Sequence, residues 1–536
     1  MKIFYKKYGK SKKNIVEWSS MPIFSSSKKQ VQPQKKTSKH PVVLGEDFDV
    51  RAKWFKDTFQ KSDDITFHEI LANHTRVGII FIQCMVDQQV FDDQVLKYIV
   101  SPDFASSQKE LLHKLLDLKA ISTMCTSILT DMKEATDRIL DGHIIIFFEG
   151  DSRMLAIPLT SVETRAVSET ANENVIRGPR EAFVEDIHTN ITMVRRKIKS
   201  PDLKMEQLLI GKYTKTKVMI SYIEGLCKEE LLTDVKQRIN RIEIDGVLAS
   251  SYIEECIDDW PLSPFPQSQK TERPDVAAAA LLEGRVVIFV DGTPIPLIVP
   301  VTFYMFLQSA EDYYQRYILT SVIRLLRYAF LVVSLLFPSF YIAVTTFHTE
   351  MIPTSLLISV AASREFVPFP AIVEAFIMEL AFEALREAGV RTPKAVGQAI
   401  GVLGALVIGQ AAVQAGIVSA PMVIIVSLTG IASFIIPGYD LAFSIRLLRF
   451  PIMILSGTFG IFGLMIGSLL IFIHVVHLSS FGQPYLSPTA PLKTSDLKDT
   501  FVRAPWWSMK RRPSFAGAAD KNRLTINRSF PEDDED

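Results

Sequence analysis

The stretch "GRVVIFVDGTPIPLIVP" (284–300) decides how the first half of this chain is interpreted, because "GHIIIFFEGDSRMLAIP" (142–158) repeats its pattern. Each stretch begins with Gly, continues as an apolar run rich in β-branched and aromatic residues, and turns at an acidic residue followed by Gly. A second apolar run ending in Pro completes it. This pattern is typical of a β-hairpin, so the chain encodes the same hairpin twice.

The two hairpins belong to longer repeats. Each is preceded by an apolar β-rich run and then a helical pattern; these runs are "RVGIIFIQCMVD" (76–87) and "TKVMISYIEGLC" (216–227). The order and the spacing agree, which predicts a duplicated mixed α/β unit, with subdomains over 61–175 and 205–305. A chance similarity of two hairpins with common acidic-Gly turns is the alternative.

The region between the repeats, 176–204, has apolar residues at helical spacing and ends at Ser200-Pro201, which predicts an amphipathic linker helix. Arginines near both of its ends are candidates for docking a subdomain or a partner. They are Arg177, Arg180, Arg195 and Arg196. Arginines that are only solvated are the alternative interpretation.

Residues 1–60 are predicted to form a disordered basic arm, because residues 1–40 contain eleven Lys and one Glu. Two interpretations of the arm are open. It is attracted to an anionic membrane leaflet, or it is a solvated tail without a task.

No catalytic motif is present in the sequence. The dipeptide Gly211-Lys212 is followed by Tyr213 instead of Ser or Thr, so it does not form a phosphate-binding loop. The formal net charge is zero, and the whole protein therefore has no field that attracts nucleic acid. We expect a protein that is not an enzyme, uses no cofactor or metal, and has no nucleic-acid partner.

The second half of the chain predicts a helical membrane domain over 306–480, followed by a soluble tail over 481–536. Three stretches contain no Asp, Glu, Lys or Arg, namely 328–349, 395–439 and 450–492. A bilayer core needs roughly 20 apolar residues per helix, so each stretch can hold at least one span. The predicted spans are 328–348, a broken segment at 351–389, 395–416, 417–437 and 451–476.

The side of the membrane follows from basic residues. Arg324 and Arg327 come directly before the first predicted span, so the N-terminal domain is expected on the cytoplasmic side. The broken segment leaves two topologies open. If 351–385 dips in and returns, Arg386 and Arg391 lie outside; if it crosses, the basic tail ends outside. We prefer a re-entrant segment, because charged broken helices persist at membrane depth only where they are buried or line water.

Polar residues in the predicted spans are candidates for a cation pathway. Glu383 and Glu387 have Arg386 and Arg391 three and four residues away, which predicts structural pairs. Glu374 and Glu379 have no basic residue within four positions, and we predict them as the cation-attracting pair. The other pathway candidates are Gln398, Gln410 and Gln414. Close helix packing is predicted at Gly397, Gly401, Gly404 and Gly409.

Several stretches together resemble one protein family. The segment that begins "PFPAIVEAFIMELAFEALREAGVRTPK" and continues to Pro437 (368–437) closely resembles the A subunits of GerA-type spore germinant receptors. So do "RGPREAFVEDIHTNITMVRRKI" (177–198), "DGTPIPLIVP" (291–300) and "VRAPWW" (502–507). The resemblance covers about 60–512.

The resemblance implies a protein of the spore inner membrane that assembles with a transporter-like B subunit and a lipoprotein C subunit. It also implies two linked α/β subdomains and a homo-oligomer that forms or gates a cation channel. The related SpoVAF-like accessory germination proteins share much of the motif set. Two hypotheses of other classes remain: a solute transporter with a cytosolic regulatory domain, and a platform that only docks other germination proteins.

Overall fold

The structure, a computed structural model, describes residues 47–72, 75–101, 110, 112–117, 126–160, 173, 175–392, 409–514, 518 and 520–523. Within these residues, the first half of the chain forms two five-stranded antiparallel sheets, and helices form most of the second half.

The first sheet has the strand order β1-β2-β4-β5-β3. Its strands are β1 (Ile65–Ala72), β2 (Thr75–Ile82), β3 (Ser127–Leu129), β4 (His143–Phe148) and β5 (Met154–Pro158), and the helices beside it are α1 (Phe48–Thr58), α2 (Gln88–Phe91), α3 (Lys97–Val100) and α4 (Met132–Leu140). Strand β4 is apolar throughout because both of its faces are covered. Ile144 and Ile146 pack in the same cluster as residues of α2 and α3, whereas Ile145 and Phe147 pack towards α1 and α4. Each such side chain contributes about 1.5–3 kcal/mol by its burial.

The second sheet has the equivalent order, β6-β7-β9-β10-β8. Its strands are β6 (Leu203–Ile210), β7 (Thr216–Ile223), β8 (Gln269–Lys270), β9 (Val286–Val290) and β10 (Leu297–Val299), and its helices are α5 (Ile187–Lys197), α6 (Glu229–Asn240), α7 (Ser250–Ile257) and α8 (Pro274–Leu282). The hairpins at 142–158 and 284–300 therefore occupy equivalent positions, as β4–β5 and β9–β10.

The disordered arm predicted over 1–60 is wrong where the structure describes it, because residues 48–58 form α1. Phe48, Ala52 and Phe55 lie on one face of α1 and are buried, and the ring of Phe147 in β4 lies 5.0 Å from that of Phe48. Three apolar positions among charged residues are a weak helix signal, and the sheet supplies the rest of the stabilisation. Residues 1–46 lie outside the described part.

The linker helix is shorter than the predicted segment 176–204. Helix α5 begins only at Ile187, where the side chain of the N-cap residue Asp186 accepts a hydrogen bond of 2.7 Å from the backbone N–H of Thr189. Gly178 before it has φ +130°, a value that excludes helix. Sequence periodicity did not detect this cap.

Two short 3₁₀ turns, Phe303–Leu307 and Ala310–Tyr313, connect the second sheet to the helices of the membrane half. Those helices are α9 (Tyr317–Thr346), α10 (Thr354–Arg364), α11 (Ala371–Arg391), α12 (Gly409–Gln414), α13 (Ala420–Phe434) and α14 (Tyr439–His477). By length and composition, α9 and α14 can each cross a membrane, and α13 is a shorter apolar helix. Most of the span predicted at 395–416 lies outside the described residues.

The last span, predicted over 451–476 as one helix, is wrong: α14 folds back on itself at Gly460. A straight helix separates residues 455 and 463 by roughly 12 Å. Here, a Cβ on Gly463 would lie 1.9 Å from the backbone oxygen of Leu455. Gly460 has φ +61° and ψ −141°, which only Gly adopts readily, so residues 439–459 and 461–477 form the two arms of a hairpin.

The contacts between helices give their directions. The first arm of α14 runs parallel to α9, since Arg449 and Ser456 donate to the backbone oxygens of Ser334 and Ser339. Helix α11 runs antiparallel to this arm, with Ile372 beside Gly457 and Glu383 beside Arg446.

Helix α13 is parallel to α11. A Cβ on Gly430 would lie 2.3 Å from the ring of Phe382, and Arg386 donates to Ser433 at 3.0 Å. Helices α11 and α13 therefore both run back towards the α/β region, and the backbone N–H of Gly438, just after α13, donates to Phe306 of the 3₁₀ turn. These contacts do not fit a segment that dips in and returns to the side from which it came.

The tail after α14 returns to the second sheet and to the start of α9. Ser480 donates to the backbone oxygen of Gln267 at 2.8 Å, and Tyr485 donates to that of Pro266 at 2.7 Å. Further along, Arg324 of α9 donates to Asp499 at 2.8 Å. The described tail thus lies at the same end of the helices as the α/β region.

Candidate functional site

The centre of the helical bundle contains a buried ion pair between Glu379 of α11 and Arg449 of α14. Arg449 also donates to the backbone oxygen of Ser334 in α9 at 2.8 Å and to its hydroxyl at 3.2 Å. The exposed fractions of the Glu379 and Arg449 side chains are 4% and 3%. One arginine therefore joins three helices away from water.

A second set of charges lies one helical turn nearer to the α/β region. Glu383 contacts Arg386 at 3.0 Å and Arg446 at 3.3 Å. The Arg386 guanidinium lies over the ring of Phe434, 4.7 Å from its centroid. Together with Glu379 and Arg449, these residues form the buried charge cluster, in which the Glu383 side chain is 37% exposed and the other four are at most 8% exposed. It has three arginines against two carboxylates, so its formal charge is positive.

Glu374 is fully buried and holds the start of α13. Its carboxylate contacts Arg364 of α10 at 3.1 Å and accepts a hydrogen bond of 2.9 Å from the backbone N–H of Ser419. A carboxylate at a helix N-terminus is favourable because it faces the free N–H groups and the positive end of the helix dipole. Glu374 of α11 therefore connects α10 and α13 through these two contacts.

The candidates for a cation-attracting pair, Glu374 and Glu379, are thus each neutralised by an arginine in this arrangement. The arginine partners of these glutamates are not close in sequence. Arg364 lies on another helix than Glu374, and Arg449 is 70 residues away from Glu379. The predicted structural pair Glu387–Arg391 is present and exposed. A cation pathway at the two buried glutamates remains a prediction for a state in which their pairs open.

The other membrane candidates fall into two groups. Gln398, Gly397, Gly401 and Gly404 lie outside the described residues. On α12, Gln410 and Gln414 are exposed on the surface of the single chain, whereas Gly409 is buried with a Cβ position 3.5 Å from Val423. The two glutamines, four residues apart, therefore form a polar stripe that is exposed in the part of the chain that the structure describes.

The four linker arginines that are candidates for docking differ in their surroundings. Arg195 forms a buried ion pair with Asp64 of the first α/β subdomain, with distances of 2.8 Å and 2.9 Å. The side chains of Arg177, Arg180 and Arg196 are exposed. Next to this pair, the backbone N–H of Asp63 donates to Met205 in β6 at 2.8 Å, so the two sheets are joined by both backbone and charge.

A network of ion pairs that the sequence did not predict connects the α/β region, the start of α9 and the tail. Asp312 contacts Arg324 at 2.9 Å and Arg327 at 2.8 Å, and Arg324 also contacts Asp499 of the tail at 2.8 Å. Burial raises the pKa of the Asp499 carboxyl, while the Arg324 charge opposes this shift. The sequence signal for this network is the pair Arg324 and Arg327, three residues apart. In the sequence, this pair indicated only that the N-terminal domain lies on the cytoplasmic side.

The α/β region and the apolar helices define the class of protein: a membrane-associated protein with a large α/β domain. A sequence model of the Bacillus/Clostridium GerA spore germination proteins matches residues 53–515. The chain belongs to the GerA family of spore germination proteins, and the predicted resemblance is confirmed.

Relatives match over most of their length. Spore germination protein KA of Bacillus subtilis is 41% identical, with 94% of this chain and 95% of that protein covered. The uncharacterized membrane protein YfkQ of the same organism is 48% identical, with 84% and 87% covered. A crystal structure of the N-terminal domain of the A subunit of the Bacillus megaterium germinant receptor GerK3 is 30% identical, with 49% of this chain and 98% of that domain covered and a TM-score of 0.39.

Proposed function

We propose that the chain is the A subunit of a nutrient germinant receptor in the spore inner membrane, where it converts germinant binding into cation release. Membership of the GerA family and the names of the relatives support this role. The chain acts together with a transporter-like B subunit and a lipoprotein C subunit, as an oligomer of several copies. It performs no catalysis and uses no cofactor.

The membrane domain crosses the bilayer six times in this proposal. The crossings are α9, α11, the span predicted from sequence at 395–416, α13, and the two arms of α14. The antiparallel and parallel contacts of these helices support this order, and the hairpin at Gly460 supports a tail on the same side as the α/β region. Arg386 and Arg391 then lie on the cytoplasmic side, in agreement with the usual distribution of basic residues.

The observation that carries the proposal is the Glu379–Arg449 pair, because it connects three helices through one guanidinium. A charge at membrane depth costs at least ~2.5 kcal/mol and requires a partner or water. The buried charge cluster has a positive formal charge and repels cations as long as its pairs are closed. The arrangement therefore corresponds to a closed state, which the pair locks.

The conduction path runs along the oligomer axis, next to Gln410 and Gln414. A side-chain amide that faces hydrocarbon is unfavourable, so this stripe requires water or another copy of the chain. Germinant binding opens the Glu379–Arg449 pair, and the freed carboxylate attracts cations to the same path.

Potassium efflux from liposomes containing the purified full-length chain, with and without the B and C subunits, tests this function. We expect Gln410→Leu and Gln414→Leu to reduce the efflux. Thr458→Leu, which replaces an exposed polar side chain on α14, serves as the matched control and should leave it unchanged. Efflux that is absent from every wild-type preparation, or that both Gln variants retain, would contradict a channel formed by this chain.

A further inference from the structure

A segment of the tail lies along the first turns of α9 and is held there by buried contacts. Arg503 is buried and donates to the backbone oxygens of Tyr313 at 3.4 Å and Gln315 at 3.3 Å. Its own backbone N–H donates to the hydroxyl of Ser321 at 3.2 Å, and Tyr328 donates to the backbone oxygen of Thr500 at 3.0 Å. The segment 500–511 therefore has a fixed position beside α9.

Three aromatic side chains of this segment are partly exposed. Trp506 is 48% exposed and Trp507 38%, and their rings lie 5.9 Å from those of Tyr313 and Tyr317, respectively. Phe501 is also exposed, although its ring lies 5.1 Å from that of Tyr328. The neighbouring surface of α9 continues the apolar patch with Ile318, Leu319, Val322, Leu325 and Leu326.

The position along α9 places this patch at the edge of the bilayer. The 30 residues of α9 are about 45 Å long, which matches the hydrocarbon core and both headgroup layers together, about 40–45 Å. Trp506 and Trp507, beside the start of α9, then lie at the level of the headgroups, and Phe501 beside Tyr328 lies deeper, among the acyl chains. Trp and Tyr prefer this level, because one part of each side chain is apolar and the other is polar.

Basic side chains accompany the aromatic ones. Lys510 and Arg511 follow Trp507 after two intervening residues, and Arg316 precedes Tyr317; all three are exposed. Arg512 is engaged differently, since it contacts Asp520 at 3.0 Å. Three cations next to an interfacial aromatic patch are complementary to a negatively charged leaflet.

We propose that residues 500–511 form an interfacial anchor in which Trp506 and Trp507 enter the headgroup region, Phe501 reaches the acyl chains, and Arg316, Lys510 and Arg511 bind anionic lipid headgroups. The partner is a lipid surface. The inference requires α9 to cross a membrane, but it does not depend on cation release.

The test uses the full-length chain in vesicles that contain brominated phosphatidylcholine, with or without phosphatidylglycerol, and measures quenching of tryptophan fluorescence. Trp260 is exposed beside His477 of α14, so the variants are made in a Trp260→Phe background. We expect W506F/W507F to lose most of the bromine-dependent quenching, whereas Trp54→Phe retains it, because Trp54 packs on the first sheet. Quenching of the wild type should increase when phosphatidylglycerol is present. The variant K510E/R511E should lose this increase.

The charge control is K212E/R241E, which makes the same change in charge on exposed residues at the far end of the second sheet. It should keep the increase with phosphatidylglycerol. Quenching that W506F/W507F does not reduce would overturn the anchor. Quenching that does not change with phosphatidylglycerol would contradict the binding of anionic lipid headgroups. Tryptophans shielded from both bromine and acrylamide would show that protein, not lipid, covers the patch, and would contradict the anchor.

Discussion

Glu379 and Arg449 are 70 residues apart in the chain and form an ion pair in which no more than 4% of either side chain is exposed. Removing one member of such a pair leaves an unpartnered charge in a medium that cannot solvate it. This loss is much larger than the net contribution of the intact pair, because desolvation opposes the attraction between the two charges.

Arg449→Gln should therefore destabilise the bundle by roughly 3–5 kcal/mol. We expect less protein in spore membranes and a higher basal cation leak, because the contact that joins α9, α11 and α14 is lost. The double variant Glu379→Gln/Arg449→Gln should recover part of the abundance. Glu387→Gln is the control, since its pair with Arg391 is exposed and contributes little. Equal abundance in Arg449→Gln and Glu387→Gln would contradict the locking role.

Gly460→Ala should disturb the α14 hairpin. A side chain at φ +61° and ψ −141° is strained by about 1–3 kcal/mol, and the new Cβ would lie 2.7 Å from the ring of His348. We expect a lower thermal midpoint of the purified chain. Gly389→Ala, where a Cβ meets nothing within 4 Å, should not lower it. If both variants unfold at the wild-type temperature, α14 does not turn at Gly460.

The six-crossing topology predicts on which side single cysteines are labelled. In a background without the native cysteines, Lys510→Cys and Lys212→Cys should react with an impermeant maleimide from the same side. Glu350→Cys, just after α9, should react only from the opposite side. Labelling of Lys510→Cys together with Glu350→Cys would mean that α14 crosses once.

Asp258 predicts a pH-dependent stability of the second α/β subdomain. Burial raises the pKa of its carboxyl from about 3.8 to about 7, and the charges of Glu254 and Asp259 add to the shift, while Lys270 and Arg238 oppose it. Between pH 3.8 and about pH 7, the folded state therefore keeps a proton on Asp258 that the unfolded state has released. The stabilisation that this proton gives is complete below the lower pKa and is lost as the pH rises through about 7.

We expect Asp258→Asn, which cannot ionise, to raise the thermal midpoint more at pH 8 than at pH 5. Asp245→Asn, at an exposed position on the same subdomain, is the control. A gain for Asp258→Asn that is equal at both pH values would show that the carboxyl is not protonated in the folded chain.

The Arg195–Asp64 pair predicts how firmly the two sheets are held together. Asp64→Asn should leave a buried guanidinium without its charge partner and increase hydrogen exchange at the backbone of Met205 and its neighbours. Lys61→Gln breaks an exposed pair with Glu224, in which both side chains are 48% exposed, leaves Glu224 with Lys204, and should change exchange very little. Protection that survives Asp64→Asn would place the strength of the contact in the backbone bonds alone.

The α/β half could be predicted from sequence to a large extent because its signals are local. The apolar run and the acidic-Gly turn define β4–β5 and β9–β10 within 17-residue stretches such as 142–158. The sequence pattern did not predict the edge strands β1 and β6, since polar residues such as Glu69 and Glu206 interrupt their apolar runs.

The membrane half was less predictable, because its decisive contacts are distant in sequence. Hydropathy is the same for one bent span and for two short ones, so composition could not reveal the turn at Gly460. Arg446 and Arg449 precede the predicted span 451–476, yet they are buried between helices, since Glu379 and Glu383 lie opposite. Only the packing of the helices brings these charges together.

The junction network also sets an order for biosynthesis. Arg324 enters the membrane region early in translation, whereas its partner Asp499 is made 175 residues later. Throughout that interval, Asp312 must serve both Arg324 and Arg327 alone. A nascent chain, or one truncated before residue 499, therefore carries an excess positive charge at this site, and the tail neutralises it only once Asp499 has been added.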